Sequence, residues 1–289
     1  MSHVKAVWQA QAMLGEGPLW VAREQCIYWV DILSCEVHRY HIHSGEQTSW
    51  HFEQEITSLT ARAGGGFMAT GRDGFGLLDL ERCEISEVNF PETSLPDNRF
   101  NDGKVDAHGR YWAGSMDDKQ TDYSGALYML DEHKQCHKKD SGYIITNGPA
   151  FSVDSTRMYH TETKLGEVFA FDIDAQGELS NKRSFARFSP EQGLPDGMTV
   201  DAQDYLWVAH FGGHGITRFS PEGKVIDRIE LPVPNITSCT FAGDALDRMF
   251  ITTARVGLSE EQLEKYPLAG SLFECSPGVT GLPTPLYQG

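Results

Sequence analysis

The sequence predicts an all-β fold, specifically a six-bladed β-propeller. Two observations carry that expectation. A pattern of short apolar strands and polar turns recurs six times, and each copy opens with a small polar stretch at an equivalent point. The six anchor positions are Glu16, Ser58, Asn101, Asn147, Asp196 and Cys239, separated by 42, 43, 46, 49 and 43 residues. Repeats of ~40–50 residues with about four short strands each are the signature of propeller blades. The first strand of each blade lines a central channel, so the anchors are expected to meet at one mouth of it.

The copies follow in order. The first runs from Gly15-Glu16-Gly17-Pro18-Leu19-Trp20 through Cys26–Asp31 to Glu36–Tyr40. The second opens at Thr57-Ser58-Leu59-Thr60 and continues with Gly66–Thr70 and Gly74–Leu78. The third opens at Asn101-Asp102-Gly103, the fourth at Asn147-Gly148-Pro149 and the fifth at Gly193-Leu194-Pro195-Asp196-Gly197-Met198. The sixth opens at Thr237-Ser238-Cys239 and ends with Gly270–Glu274. In each, a second strand rich in Tyr, Trp or Phe follows the turn, which suits packing between blades. A propeller must close its ring. Both Ala6–Ala10 and Thr284–Tyr287 are strand-like, so either end can supply an outer strand to the other end's blade. One short helix is expected at Ser259–Tyr266, opened by a capping serine and stopped before Pro267. No composition break divides residues 1–289, which are expected to form one domain.

Formal net charge is −17, with 40% hydrophobic residues. Such a balance argues against nucleic-acid backbones and anionic membranes as partners. It suits a small neutral or cationic ligand or a metal ion. The six cysteines are scattered and include no Cys-x-x-Cys pair. That spacing is neither a disulfide framework nor a zinc ribbon. With no apolar leader run near Met1–Met13, a cytoplasmic location is expected.

Taken alone, Pro195-Asp196-Gly197 is a turn signal. Recurrence changes its meaning. Glu16, Asn147 and Asp196 are the oxygen-bearing anchors of blades one, four and five. Two carboxylates and an amide oxygen make a hard ligand set for Ca²⁺, Mg²⁺ or Mn²⁺ that also accepts Zn²⁺ or Fe²⁺. Three protein ligands leave positions open for water and substrate, as at a catalytic ion. Arg99 and Asn101 at the third anchor can hydrogen-bond a polyol or a carbonyl oxygen, or else belong to a surface charge and a hairpin turn. His160 and His210 lie on blade strands and read as packed residues that the ion does not need. Ser58 is a candidate pocket-lining residue. Cys239 has no activating base in the sequence.

These residues carry a family resemblance. The chain resembles the regucalcin (senescence marker protein)/gluconolactonase family of six-bladed propellers. The motifs are Leu14-Gly15-Glu16-Gly17-Pro18-Leu19-Trp20, Arg99–Asp106, Asn147-Gly148-Pro149 and Pro195-Asp196-Gly197-Met198, and the likeness spans essentially the whole chain. The tail around Arg255–Leu258 and the stretch Leu179–Arg183 resemble bacterial sugar-lactone hydrolases. The resemblance implies that Glu16, Asn147 and Asp196 hold one divalent ion, that Arg99 and Asn101 contact a sugar lactone, and that Asp196 is the general base. The expected function is hydrolysis of an aldonolactone to the aldonic acid, with the ion as Lewis acid. Animal members carry an acidic substrate-binding residue where this chain has Lys119, so their substrate preference does not transfer. A phosphotriester or other ester hydrolase, a Ca²⁺-binding regulator and a protein-interaction scaffold are the rival readings. The scaffold lacks Trp-Asp repeat endings here, and no calcium-loop motif supports a dedicated Ca²⁺ buffer.

Overall fold

A computed structural model describes residues 4–289, so the first three residues of the expected domain lie outside it. Its strands form six four-stranded antiparallel sheets. The first strands of the sheets are Gly15–Val21, Ile56–Ala61, Asn98–Val105, Thr146–Phe151, Leu194–Val200 and Ile236–Ala242. Each touches the first strands of both neighbours, and the sixth touches the first. The ring is therefore a closed six-bladed β-propeller around a central channel.

Burial falls from the axis outward. The first strand of blade two, Ile56–Ala61, is buried at every residue. The outermost strand of blade five, Val225–Glu230, is exposed at all but one. Inner strands bury both faces against neighbouring blades, so they read as continuous runs rather than alternating ones. Between the blades, Trp29, Trp112 and Trp207 are fully buried on the second strands of blades one, three and five. Each such side chain contributes roughly 2–3 kcal/mol of burial.

Two of these tryptophans share a polar clamp. Trp112 Nε1 and Arg110 Nε donate to Asp106 Oδ2 at 2.8 and 2.7 Å. Trp207 Nε1 and Arg218 Nε donate to Asp201 Oδ2 at 2.9 and 2.8 Å. Asp and Trp stand six residues apart in both blades, so one β-turn design recurs.

Ring closure is settled by the N-terminal segment. Lys5–Trp8 pairs antiparallel with Leu272–Cys275 and completes blade six. The run Thr284–Tyr287 is not a strand. The C-terminal tail crosses one face of the ring, bridging Gly281 to Asp201 and Tyr287 to Arg62. The expected short helix is present at Glu260–Lys265, with Gln262 N donating to Ser259 Oγ at 3.2 Å. None of the six cysteines is disulfide-bonded. Among the described residues no helix is long and apolar enough to cross a membrane.

Asp201→Ala leaves a nearly buried Arg218 and a buried indole N–H without their acceptor. The expected loss is ~3–5 kcal/mol, as for breaking one side of a buried ion pair. Guanidinium unfolding measures it, and a loss under ~1 kcal/mol would show that the clamp is not structural.

Candidate active site in the central channel

All six first strands break register at one level. The irregularities fall between Glu16 and Leu19, Ile56 and Ser58, Phe100 and Gly103, Asn147 and Ala150, Pro195 and Met198, and Ile236 and Ser238. A bulge re-aims side chains that a regular strand would alternate. This ring of bulges turns the polar residues of six strands toward the axis. Pro195-Asp196-Gly197 and Asn101-Asp102-Gly103 are thus not turns but bulged segments inside strands.

Gly197 is required by proximity rather than by backbone freedom. A Cβ there would stand 2.3 Å from Ser238 Oγ of the next blade. Gly17, by contrast, has φ of +51°, the left-handed region where glycine is at ease.

Glu16, Asn147 and Asp196 are buried, at 5%, 3% and 4% exposure. The carboxyls of Glu16 and Asp196 are close enough to interact directly, and Asp102 adds a third negative group beside them. Burial, then repulsion from Asp196 and Asp102, pushes the Glu16 carboxyl well above the usual range. Burial, then Asp102, does the same to Asp196. Asp196 Oδ1 is buried and, among the described residues, has no hydrogen-bond partner. The nearby counter-charge within the channel is Lys104, whose Nζ donates to Met198 O at 2.6 Å and whose field acts on Asp102. When all are ionised, as a bound cation would require, the three carboxyls outnumber the Lys104 ammonium by two charges, with Arg99 acting on Glu16 from the mouth. An orphaned buried carboxylate oxygen, an oxygen-only donor set and that surplus fit a hard divalent cation.

The amide of Asn147 is oriented by a chain of bonds. Thr163 Oγ1 donates to Pro195 O at 2.8 Å, so it accepts from Asn147 Nδ2 at 2.9 Å. That assigns Nδ2 to the threonine and leaves Oδ1 toward the channel. Asn147 Oδ1 also accepts from Asn101 Nδ2 at 3.0 Å. Asn101 donates again to Thr146 O at 2.7 Å, and its Oδ1 accepts from Arg99 Nη1 at 2.8 Å. Both donors of Asn101 are therefore engaged within the protein, and one lone pair on Oδ1 remains for a ligand.

Arg99 is 6% exposed and held on three sides. Its Nε donates to Asp118 at 3.2 Å, and its Nη1 to Phe100 O at 2.9 Å as well as to Asn101. Among the described residues Nη2 makes no hydrogen bond, which leaves that edge for a ligand. Arg72 Nη2 braces Asp118 from the other side at 2.8 Å. Burial raises the Asp118 carboxyl, but bonds and charge from Arg72 and Arg99 outweigh it and hold the group below its usual range. Lys119 points away to the exposed Asp97, at 2.8 Å.

The remaining candidates separate cleanly. His160 is fully buried with neither ring nitrogen bonded, and burial pushes it down to about 3. His210 packs against Phe188, and burial lowers it to about 4. Both are neutral packed residues. Cys239 sits in the apolar cluster between blades five and six, and burial raises its thiol to about 12, so it is no nucleophile. Its neighbour Ser238 lines the channel cavity instead, one position from the sequence anchor. Ser58 is fully buried and bonded to Thr70 and Tyr111, 2.6 Å from each hydroxyl. Asp102, Lys104 and Thr163 were not among the sequence candidates. Asp102 could have been found by its place beside Asn101 in the third anchor. Thr163 carries no sequence signal, because it lies in the turn between the second and third strands of blade four and meets the site only through Asn147 and Pro195.

The raised carboxyls have a thermodynamic sign. In metal-stripped protein, Glu16 and Asp196 keep protons to higher pH when folded than when unfolded, where carboxyls ionise near ~4. Stability then falls as pH rises from that range through the raised values. Thermal melts of stripped protein should show this slope more steeply than melts of Glu16→Gln/Asp196→Asn. Equal slopes would overturn the burial account.

A model of the SMP-30/Gluconolactonase/LRE-like region matches residues 14–255. The chain is 34% identical to a 6-deoxy-6-sulfogluconolactonase of Pseudomonas putida, covering 99% of both chains. It is equally 34% identical to regucalcin of Oryctolagus cuniculus, covering 100% of both. Among solved structures, a luciferin-regenerating enzyme superposes with a TM-score of 0.94 at 27% identity over 100% of both chains. A calcium-binding regucalcin of Agrobacterium tumefaciens superposes with a TM-score of 0.93 at 27% identity, covering 99% and 97%. The motif match and these full-length likenesses together show that the chain belongs to the SMP-30/gluconolactonase/LRE-like family.

Proposed function

We propose that this chain hydrolyses a sugar lactone to the open aldonic acid, using one divalent ion held by Glu16, Asn147 and Asp196. The observation that carries this reading is the unpaired, buried Asp196 Oδ1 beside two further carboxyls at the bulge level of the channel. Membership of a family with a gluconolactonase among its relatives supports the substrate class.

When bound, the ion supplies Lewis-acid polarisation of the lactone carbonyl. The chain's own groups do the rest. Asp196 takes a proton from the attacking water. It returns that proton to the ring oxygen as the acyl C–O bond breaks. Asn147 is kept in its ligating orientation by Thr163 and Asn101. Arg99 offers Nη2 to a substrate oxygen, and because its other bonds are already made, little side-chain freedom is lost on binding. Lys104 and the N–H groups of Gly103 and Gly148 hold Asp102 in place beneath the site. The P. putida relative acts on a lactone substituted at carbon six, so the test panel includes such a substrate.

The first test is acid release from gluconic, galactonic, xylonic, arabinonic and 6-sulfo-gluconic lactones. EDTA-stripped protein should be inactive, and Ca²⁺, Mn²⁺ or Zn²⁺ added singly should restore turnover of at least one lactone. Buffer-level rates with every metal, alongside hydrolysis of a phosphotriester, would move the rival esterase reading ahead. Asp196→Asn should lower kcat by roughly 10²–10⁴-fold, the range for losing a general base. Full activity with the ion still bound would remove Asp196 from that role. Asp118→Asn should raise KM by about tenfold, the scale of a charge-assisted hydrogen bond, while kcat changes little. Equal falls in kcat would mean that Arg99 acts on the transition state instead.

A further inference from the structure

Away from the channel, blade one gathers three ligand-type side chains that the proposed reaction does not use. Asp31 on the second strand pairs directly with Glu36 on the third, and His38 follows Glu36 on the same face. One donor atom from each of the three lies within 4.8 Å of the others. Asp31 and His38 are buried, at 2% and 3% exposure, and the Glu36 side chain is 36% exposed.

The imidazole of His38 is the telling group. It is packed against Trp29 and Trp8, with ring centroids 4.2 and 5.0 Å away. Its Nδ1 is 2.8 Å from Ser49 Oγ. Among the described residues its buried Nε2 has no hydrogen-bond partner, and it faces Glu36 Oε2 at 3.5 Å. Burial pushes His38 down to about 4, so it brings no positive charge at neutral pH. Among the described residues no Lys or Arg forms an ion pair with Asp31 or Glu36, and the exposed His51 pairs opposite Glu36 on the next strand. Two carboxylates and a neutral imidazole nitrogen thus converge with no cation between them.

We propose that Asp31, Glu36 and His38 form a second divalent-cation site, of the mixed nitrogen and carboxylate kind that Zn²⁺ favours. Imidazole selects Zn²⁺ over Ca²⁺, whereas the oxygen-only channel set suits harder ions. Ser49 takes the role of the outer partner that receives Nδ1–H and turns Nε2 to the ion. Asp31 Oδ2 accepts from the N–H of Met13 at 2.8 Å, and Oδ1 from those of Leu14 and Ser34 at 2.9 and 3.3 Å, so Oδ2 keeps a lone pair for the ion. Ligand atoms around Zn²⁺ at ~2.1 Å cannot stand more than ~4.2 Å apart. The half-exposed Glu36 side chain closes that difference by a small rotation. The site lies at the seam of the ring: Trp8 belongs to the closing strand, and Met13 and Leu14 lead from it into blade one. Bound Zn²⁺ therefore ties the closing segment to the first blade.

The test is Zn²⁺ titration of metal-stripped protein by calorimetry, with Zn²⁺-edge anomalous diffraction of the loaded crystals. Two tight equivalents are expected, one with an anomalous peak within about 2.2 Å of His38 Nε2. His38→Gln and Glu36→Gln should each weaken one equivalent at least tenfold and abolish that peak, while the channel ion and lactone turnover persist. Glu36→Gln removes an exposed arm only, so it stays informative if the buried His38 variant misfolds. A peak confined to the channel, or a second equivalent untouched by Glu36→Gln, would overturn the proposal. In that case His38 merely donates a long bond from Nε2–H to Glu36. Neither outcome depends on which lactone the channel accepts.

Discussion

Everything in this molecule depends on the ring being closed. Each blade buries an inner strand on both faces only because a neighbour stands on either side of it. A ring with one open seam would expose two such faces. Pairing of Lys5–Trp8 with Leu272–Cys275 removes that seam by joining the two ends of the chain through backbone hydrogen bonds. Asp31 reinforces the junction by capping the N–H groups of Met13 and Leu14. The C-terminal tail adds a strap across the opposite face, with Tyr287 fully buried and its hydroxyl donating to Asp131 O at 2.7 Å.

A rigid ring can carry electrostatic strain that an isolated sheet could not. Burying Glu16, Asp102 and Asp196 together opposes folding, since each loses water and repels the others. The large interblade interfaces offset this cost, and Lys104 offsets part of it locally. The remaining imbalance suits the divalent cation proposed for this channel. Binding of the proposed ion would restore stability at the point where burial of these groups lowers it.

Position in the channel is controlled from outside it. Arg99, Asn101 and Asn147 form one continuous hydrogen-bonded line, anchored at one end by Asp118 and Arg72 and at the other by Thr163. The line crosses from blade three to blade four and, through Pro195 O, to blade five. Asn101 and Asn147 are therefore held across a blade boundary, while Arg99 is held within its own blade by Asp118, which Arg72 of blade two braces.

Sequence alone determined the six-blade ring, the short capped helix and the residues Glu16, Asn147, Asp196, Arg99 and Asn101 that the channel gathers. Those are legible because repeat spacing and strand periodicity are local, and because an acid or amide between glycines stands out at an equivalent point of each repeat. Tertiary structure alone decided which terminus closes the ring, since both had strand character and only pairing geometry distinguishes them. It also decided that Ser238 rather than Cys239 faces the channel. Side chains alternate every residue, so a bulge of one position exchanges inward for outward without changing any residue type. Lys104, Thr163 and the Asp118–Arg72 brace were hidden for the same physical reason. Their meaning lies in partners 94, 32 and 46 residues away, brought near only when the blades pack.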